Sequence, residues 1–528
     1  MIPGSLPLGD IRMGLCVPRS CEAATLQAAL QAGLDPSVRV LVRPENCQEH
    51  VTQASISPAA TLFWCLVVAL TAVTVAAPAL GWSSWDWSRH VRTLAQPDPL
   101  VSGIDLSPLS GIRSINAMYL VALHRGLHAA RVATSNREYL TSWARSRMEY
   151  AVLYRGALGV DTFFFLAGLL LAATSTADRK SSFSKSMFNR VLRVGPVYAI
   201  VVLFHCTALP EMGAGPLWVE VAQPMAESCR KWWWSNLLFL NNYVNGGTAE
   251  PLCMEHSWSL AVDMHMFVVG TLLLGRLPSG LRGVALLLVL AALATVPLAA
   301  ATLLGEWPGT VAWTLRTLQG MWAEPLIHQA YMPTHMRTAP YLLGLAAGKA
   351  LPMLKDAGFR PGRAVTLLAT AASLAAMSAV MCFSALFNDL RAPYSALGAG
   401  LCAGLTPLAW AGALGVLVTV TVLGEPTAVH SLLTWQPLVS LSRLTFAVYL
   451  VSYPLQALLT AAKRDAVRIT PLTIARDALS DNVISFAVSF WLFVVLEAPI
   501  RSLAKKALAR MDGSSKSQTK TESNKKSD

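Results

Sequence analysis

The sequence predicts an all-α polytopic membrane protein of about eleven transmembrane helices. Charged residues make up 14% of the chain and hydrophobic ones 54%, whereas a soluble chain carries roughly 25% charged residues. Apolar runs of about 20 residues, the length that crosses a bilayer core as a helix, recur along the 528 residues. Mean hydropathy is +0.47. The net charge of +12 would point to nucleic acid in a soluble protein. Here basic loops and a basic tail account for it, and no nucleic-acid partner is expected.

Taken in order, residues 1–56 are polar and mixed, with Cys16, Cys21 and Cys47 and a short helical pattern after Cys21. They read as the end of a small extracytosolic domain. MIPGSLPLGD has neither the basic stretch nor the apolar core of a secretory signal. Three cysteines leave one without a mate, so a further upstream segment is expected.

Residues 57–110 hold a first span, near 59–80, and a linker. Trp82, Trp85 and Trp87 suit the interface, and Arg89 and Arg92 follow. That order puts the N-terminus outside the cytosol. Residues 111–503 form the main membrane domain, with spans near 113–133, 153–173, 194–210, 256–275, 282–304, 338–352, 364–384, 396–422, 439–461 and 482–500. Cys65, Cys206, Cys382 and Cys402 lie in or near such spans, where a thiol usually serves as small core filler.

Under this scheme the cytosolic side collects Arg179, Lys180, Lys185 and Arg190, then Arg276 and Arg282, then Lys355, Arg360 and Arg363. The loop with Lys463, Arg464, Arg468 and Arg476 falls on the opposite side, against the rule. Residues 211–254 and 305–337 read as long extracytosolic loops. Residues 504–528 form a basic, disordered cytosolic tail. The expected setting is the plasma membrane or an endomembrane; oligomeric state is not legible.

Ionisable groups inside membrane-length segments are costly, so each is a candidate for function. Arg113 and His124 are separated by ten residues, which places His124 roughly 16 Å deeper on a helix. A neutral imidazole there can take a proton from a hydroxyl as general base. A packing histidine bonded to a neighbouring carbonyl is the alternative.

Arg190 and Arg193 are one turn apart, and forked guanidinium donors match phosphate oxygens; ordinary positive-inside anchoring explains many such pairs. Asp161 could orient His124, pair with Arg125 or Arg155, or cap its helix. His256 and Asp263 are seven apart, hence on one face, and Asp263 either pairs with a cation or takes part in function. Glu497, ahead of Arg501, is expected to be paired. No compact ligand spacing indicates a metal, and none is expected.

At this point the chain resembles the membrane-bound acyltransferase-3 family, in its animal nose-resistant-to-fluoxetine branch. GLCVPRSC (14–21) is similar to the end of the branch's cysteine-containing N-terminal domain. Arg113 and His124 fit the family's R-x10-H motif, and Arg190 and Arg193 its R-x-x-R. GVDTFFFLAG (159–168), WWWSNLLFLNN (232–242), CMEHSWSLAVDMHMF (253–267), SRLTFAVYLVSYP (442–454) and EAPIR (497–501) follow in order.

The resemblance implies a ten-helix acyltransferase core preceded by one extra span. It implies transfer of an acyl group, often acetyl, from acyl-CoA to a hydroxyl of a lipid or carbohydrate. His124 would then be catalytic, with Asp161 beside it, and Arg113, Arg190 and Arg193 would engage the acyl-CoA donor. His256, Asp263, Ser452 and Glu497 are further pocket candidates. Three positions depart from the pattern: Ser452 where His is frequent, Asp263 for Glu, and Ala167 for a small hydroxyl residue. The branch also implies a rival, a non-catalytic lipid or xenobiotic transporter. Cys229 and Cys253 flank one extracytosolic loop and are expected to form a disulfide there.

Overall fold

The computed structural model describes residues 15–18, 20–44, 47, 56–129, 131–132, 134–136, 139, 156–177, 183–215, 217–244, 252–311, 324–386 and 393–507. Among them there is no strand, only two isolated bridges. Arg155 lies outside the described residues, as do most of the tail and the start of the N-terminal segment.

The helices are α1 (Ala23–Ala32), α2 (Pro58–Ala76), α3 (Trp87–Leu94), α4 (Ser107–Ala129), α5 (Gly156–Ala177), α6 (Phe183–Cys206) and α7 (Trp218–Leu237). They continue with α8 (Trp258–Leu274), α9 (Gly280–Leu293), α10 (Val296–Leu304), α11 (Thr338–Asp356), α12 (Arg363–Leu386) and α13 (Ala396–Leu423). The last four are α14 (Ala428–Leu433), α15 (Gln436–Ser442), α16 (Thr445–Ala461) and α17 (Pro471–Leu492).

Local chemistry starts several of them. Ser57 accepts from Ala60 N ahead of Pro58 in α2, and Thr470 and Thr473 form a reciprocal capping box around Pro471 in α17. Such caps satisfy amides that a helix end leaves bare, and proline at the first turn sacrifices no hydrogen bond.

Eight helical segments among the described residues are long and apolar enough to cross a membrane. A ninth arises if α15 and α16, which meet at 71°, count as one broken span. The sequence predicts eleven. The two extra segments are α4 and α11, which have spanning length but more polar residues. Both sit inside the bundle: α4 against α5, α15, α16 and α17, and α11 against α5, α8, α9 and α13. A helix screened from lipid by its neighbours can carry polar groups that a lipid-facing one cannot. At the periphery α2 and α12 show the converse, with Leu62, Val68 and Val75 and with Val365, Leu368 and Phe383 exposed. Cys65 and Cys382 are exposed on these helices, while Cys402 is buried as core filler.

The region 211–254, expected as a loop, contains the 20-residue helix α7. Its charges and Pro224 hide it from a hydropathy reading, yet it packs on α6 and α16. The misplaced positive charges near 463–476 have a local answer in Asp477, which pairs with Lys463 (3.4 Å) and Arg476 (2.7 Å).

A close backbone seam joins α5 to α11. A Cβ on Gly344 would stand 2.1 Å from Phe165 O, and one on Gly348 would stand 2.2 Å from Leu169 O. Gly168 faces Tyr341 O just as closely. Small residues four apart let two backbones touch, the usual way helices pack where no hydrophobic drive exists. Leu342, Leu345 and Ala346 then join Phe164, Trp258, Val262 and Leu287 in the main apolar cluster.

Candidate active site

Two polar clusters form along α4, one at each end of its membrane-depth stretch. The first holds Arg113 from α4, Arg190 and Arg193 from α6, Asp263 from α8, and Glu497 and Arg501 just after α17. Arg190 donates to the Asp263 carboxylate and lies over the Phe267 ring, 4.7 Å from its centroid. Arg501 pairs with Glu497 at 3.3 Å. Arg113 is within charge–charge range of Asp98 first, then of Arg190 and Asp263, and Arg193 of Arg113, Arg190, Arg501 and Glu497. Among the described residues no hydrogen bond or ion pair holds Arg113 or Arg193, and Arg193 is exposed. The three arginines influence one another's charge without touching.

The second cluster surrounds Tyr453 of α16. Its ring lies 5.2 Å from His124, 4.7 Å from His128 and 5.1 Å from His256. Its hydroxyl donates to Glu255, which Arg131 also approaches at 3.3 Å. The Tyr449 hydroxyl is bonded to His256 O (2.5 Å) and to Ser259 Oγ (2.8 Å). His124 Nδ1 is buried without a hydrogen-bond partner, and so are both ring nitrogens of His128. Among the described residues no carbonyl bonds His124 Nδ1, the contact a packing histidine would make through that nitrogen.

The order of the clusters is fixed by helix direction. Arg113 precedes His124 on α4, while His256 precedes Asp263 at the start of α8, so the two helices run antiparallel between the same two ends. Eleven residues of α4 separate the clusters by roughly 16 Å. The Cys229–Cys253 bridge ties α7 to the segment three residues before His256, at the histidine end.

Asp161 belongs to neither cluster, which corrects its expected place. Its carboxylate makes no hydrogen bond, so it does not orient His124, and its ion partner is Arg337 at 3.6 Å. Arg125, the other expected partner, is held by Asp481 through Nε (2.5 Å) and Nη2 (2.7 Å), with Gln456 bonded to the same carboxylate at 2.9 Å. That network joins α4, α16 and α17 and is structural. Ser452 is buried on α16 beside Tyr453. Asp263 and Glu497 each take an arginine, as expected of carboxylates at that depth.

Sequence reasoning missed His128, Arg131, Glu255 and Tyr453 as members of one group. The signal available was spacing: His124 and His128 are four apart on one helix face. Among the described residues no group of acidic, His or Cys side chains could hold a metal.

A model of the acyltransferase-3 family, described as an acyltransferase domain, matches residues 109–500. The chain is 24% identical over 432 residues to nose resistant to fluoxetine protein 6 of Caenorhabditis elegans. That alignment covers 76% of this chain and 51% of the relative, so the chain spans about half the length of the curated protein it matches. No solved structure matches.

Proposed function

The chain belongs to the acyltransferase-3 family, and from that premise we propose that it is an integral-membrane O-acyltransferase. The donor is acyl-CoA, acetyl foremost, and the acceptor is a hydroxyl of a lipid or carbohydrate. The observation that carries this reading is the pairing of two ends on α4: free guanidinium groups at one, an unpartnered imidazole at the other. Arg113 and Arg193 offer unspent donors to a multiply charged phosphate ligand. Arg190, already tied to Asp263, supplies field rather than a free fork.

At the other end His124 takes the proton of the acceptor hydroxyl as its oxygen bonds to the acyl carbon. The carbon–sulfur bond then breaks, and the leaving thiolate receives the proton back from His124. Both steps balance without a metal. An acyl-histidine route would use the same nitrogen as nucleophile. The roughly 16 Å between ends suits an extended donor with its phosphates at one face and its thioester deep in the bundle. We place the arginine end at the cytosol, since the disulfide lies at the histidine end and disulfides persist on oxidising faces. The N-terminus is then extracytosolic and the C-terminus cytosolic.

The test is incubation of the full chain in lipid nanodiscs with labelled acetyl-CoA. Label reaching a lipid or glycan, and lost in His124→Ala with folding intact, supports the reading. Unchanged turnover in His124→Ala ends the catalytic assignment, and ligand movement without label transfer favours transport.

A further inference from the structure

Away from both clusters, a cavity of about 80 Å³ lies between α5, α10 and α13, with the stretch from Leu326 to Arg337 closing one side. Its wall is mostly apolar, including Leu298, Ala330 and Ala403, yet Asp161 and Arg337 both border it. Asp161 is fully buried and neither carboxylate oxygen has a hydrogen-bond partner. Arg337, 6% exposed, spends Nε on Tyr331 O at 2.9 Å and stacks over the Tyr331 ring at 4.3 Å. This leaves its nearest terminal nitrogen 3.6 Å from Asp161, beyond hydrogen-bond reach. A buried carboxylate held this loosely is costly unless a donor reaches it.

A helix-breaking proline lies in the same wall. Pro407 has no N–H to give the carbonyl four residues earlier, which belongs to Ala403, and both residues line the cavity. Trp410 Nε1 donates to Thr162 Oγ1 at 2.9 Å, pinning α13 to α5 beside Asp161.

We infer that this cavity binds the hydroxyl end of a neutral amphiphile, a lipid alcohol. The charges of Asp161 and Arg337 cancel, so a cationic or anionic head would leave one of them opposed. A hydroxyl oxygen, like that of the water it would displace, can donate to Asp161 and accept from Arg337 with one atom; the apolar wall is what favours an alcohol over water. The volume exceeds that of a single water several-fold and admits a small head with the first carbons of a chain. The apolar remainder of the wall suits those carbons. Near the N-terminal end of α5, Gly159 O accepts from Asn116 Nδ2 at 2.8 Å and the glycine packs on Leu120, so the cavity lies level with the middle of α4, between the two clusters. Tyr331 links the cavity to the histidine end, its ring packing 4.9 Å from Trp258, two residues after His256.

The test needs no acyl transfer and so is decided separately from the enzymatic reading. The full chain in nanodiscs is photolabelled with an eight-carbon alkanol carrying a diazirine near its hydroxyl, and adducts are mapped by peptide mass spectrometry. Adducts are expected on α5, α10 and α13 around the cavity. Octanol should suppress them at least tenfold more effectively than octylammonium or octyl phosphate. Asp161→Asn should cut labelling about tenfold, and Ala403→Phe, which fills the space without touching the ion pair, should remove it while the unfolding temperature holds. Should Asp161→Asn not fold, Ala403→Phe and the competition series decide. Labelling spread over the lipid-facing surface, equal competition by charged amphiphiles, or full labelling in folded Ala403→Phe overturns the inference.

Discussion

His124 meets Tyr453 edge-on, ring centroids 5.2 Å apart and planes at 87°. The phenol is anchored from behind by Glu255, which Arg131 also engages. The candidate base is therefore steered by a ring rather than by a carboxylate, since no hydrogen bond reaches its Nδ1. Tyr453 is a positioning residue in this arrangement.

Tyr453→Phe keeps the ring contacts and removes the hydroxyl that meets Glu255. A hydrogen bond to a charged group contributes about 1.5–3 kcal/mol, so kcat should fall roughly 10- to 100-fold. KM for acyl-CoA should stay within about twofold, because the arginine end is untouched. A rise in KM with kcat preserved would remove Tyr453 from this role, and steady-state kinetics separates the outcomes.

At the opposite end, Arg193→Ala removes an exposed cation that makes no hydrogen bond or ion pair among the described residues. KM for acyl-CoA should rise roughly tenfold or more, with kcat little changed, and the effect should shrink as salt is raised. Arg190→Ala is a harsher change, since it strands Asp263. Restoring that balance with Arg190→Gln in an Asp263→Asn background should recover thermal stability but not donor affinity.

Arg125 and Asp481 predict the reverse pattern. Both are buried, at 4% and 1% exposure, and breaking such a pair from one side costs about 3–5 kcal/mol. Asp481→Ala should lower the detergent-solubilised unfolding temperature sharply. Whatever protein remains folded should retain its KM. Thermal unfolding followed by tryptophan fluorescence reads the first, and kinetics on the surviving fraction the second.

Gly348→Ala should destabilise by about 1–3 kcal/mol through overpacking alone, because the new carbon would meet Leu169 O at 2.2 Å. Gly412→Ala, where nothing lies within 4 Å, is the matched control and should leave the unfolding temperature unchanged.

Much of this was legible in the chain because membrane burial makes polarity informative. Arg113, His124, Arg190, Asp263 and Glu497 stand out in apolar runs, and the structure gives each a charged or aromatic neighbour. Where the surroundings are themselves polar the same contrast vanishes. Arg337 sits in a stretch with Thr334, His335 and Thr338, so nothing in the sequence says it is buried against Asp161. Asp481 fell at a predicted span boundary, and α7 was concealed by its own charges. Length and hydropathy alone pick out eight or nine of the eleven expected spans among the described residues: hydropathy registers contact with lipid, and α4 and α11 are sheltered from it.

The glycine seam has a mechanical meaning. Phe165 and Leu169 of α5 face Gly344 and Gly348 of α11, so the helices run parallel and in register, and the same register brings Asp161 opposite Arg337. Sliding one helix past the other by a turn, about 5.4 Å, would drive side chains into backbone and part the ion pair together. The two helices thus behave as one strut. Any opening of the bundle, for a donor entering or a product leaving, has to be borne by the other wall. There α15 and α16 already bend by 71°, and Pro454 interrupts the hydrogen-bond ladder one residue after Tyr453.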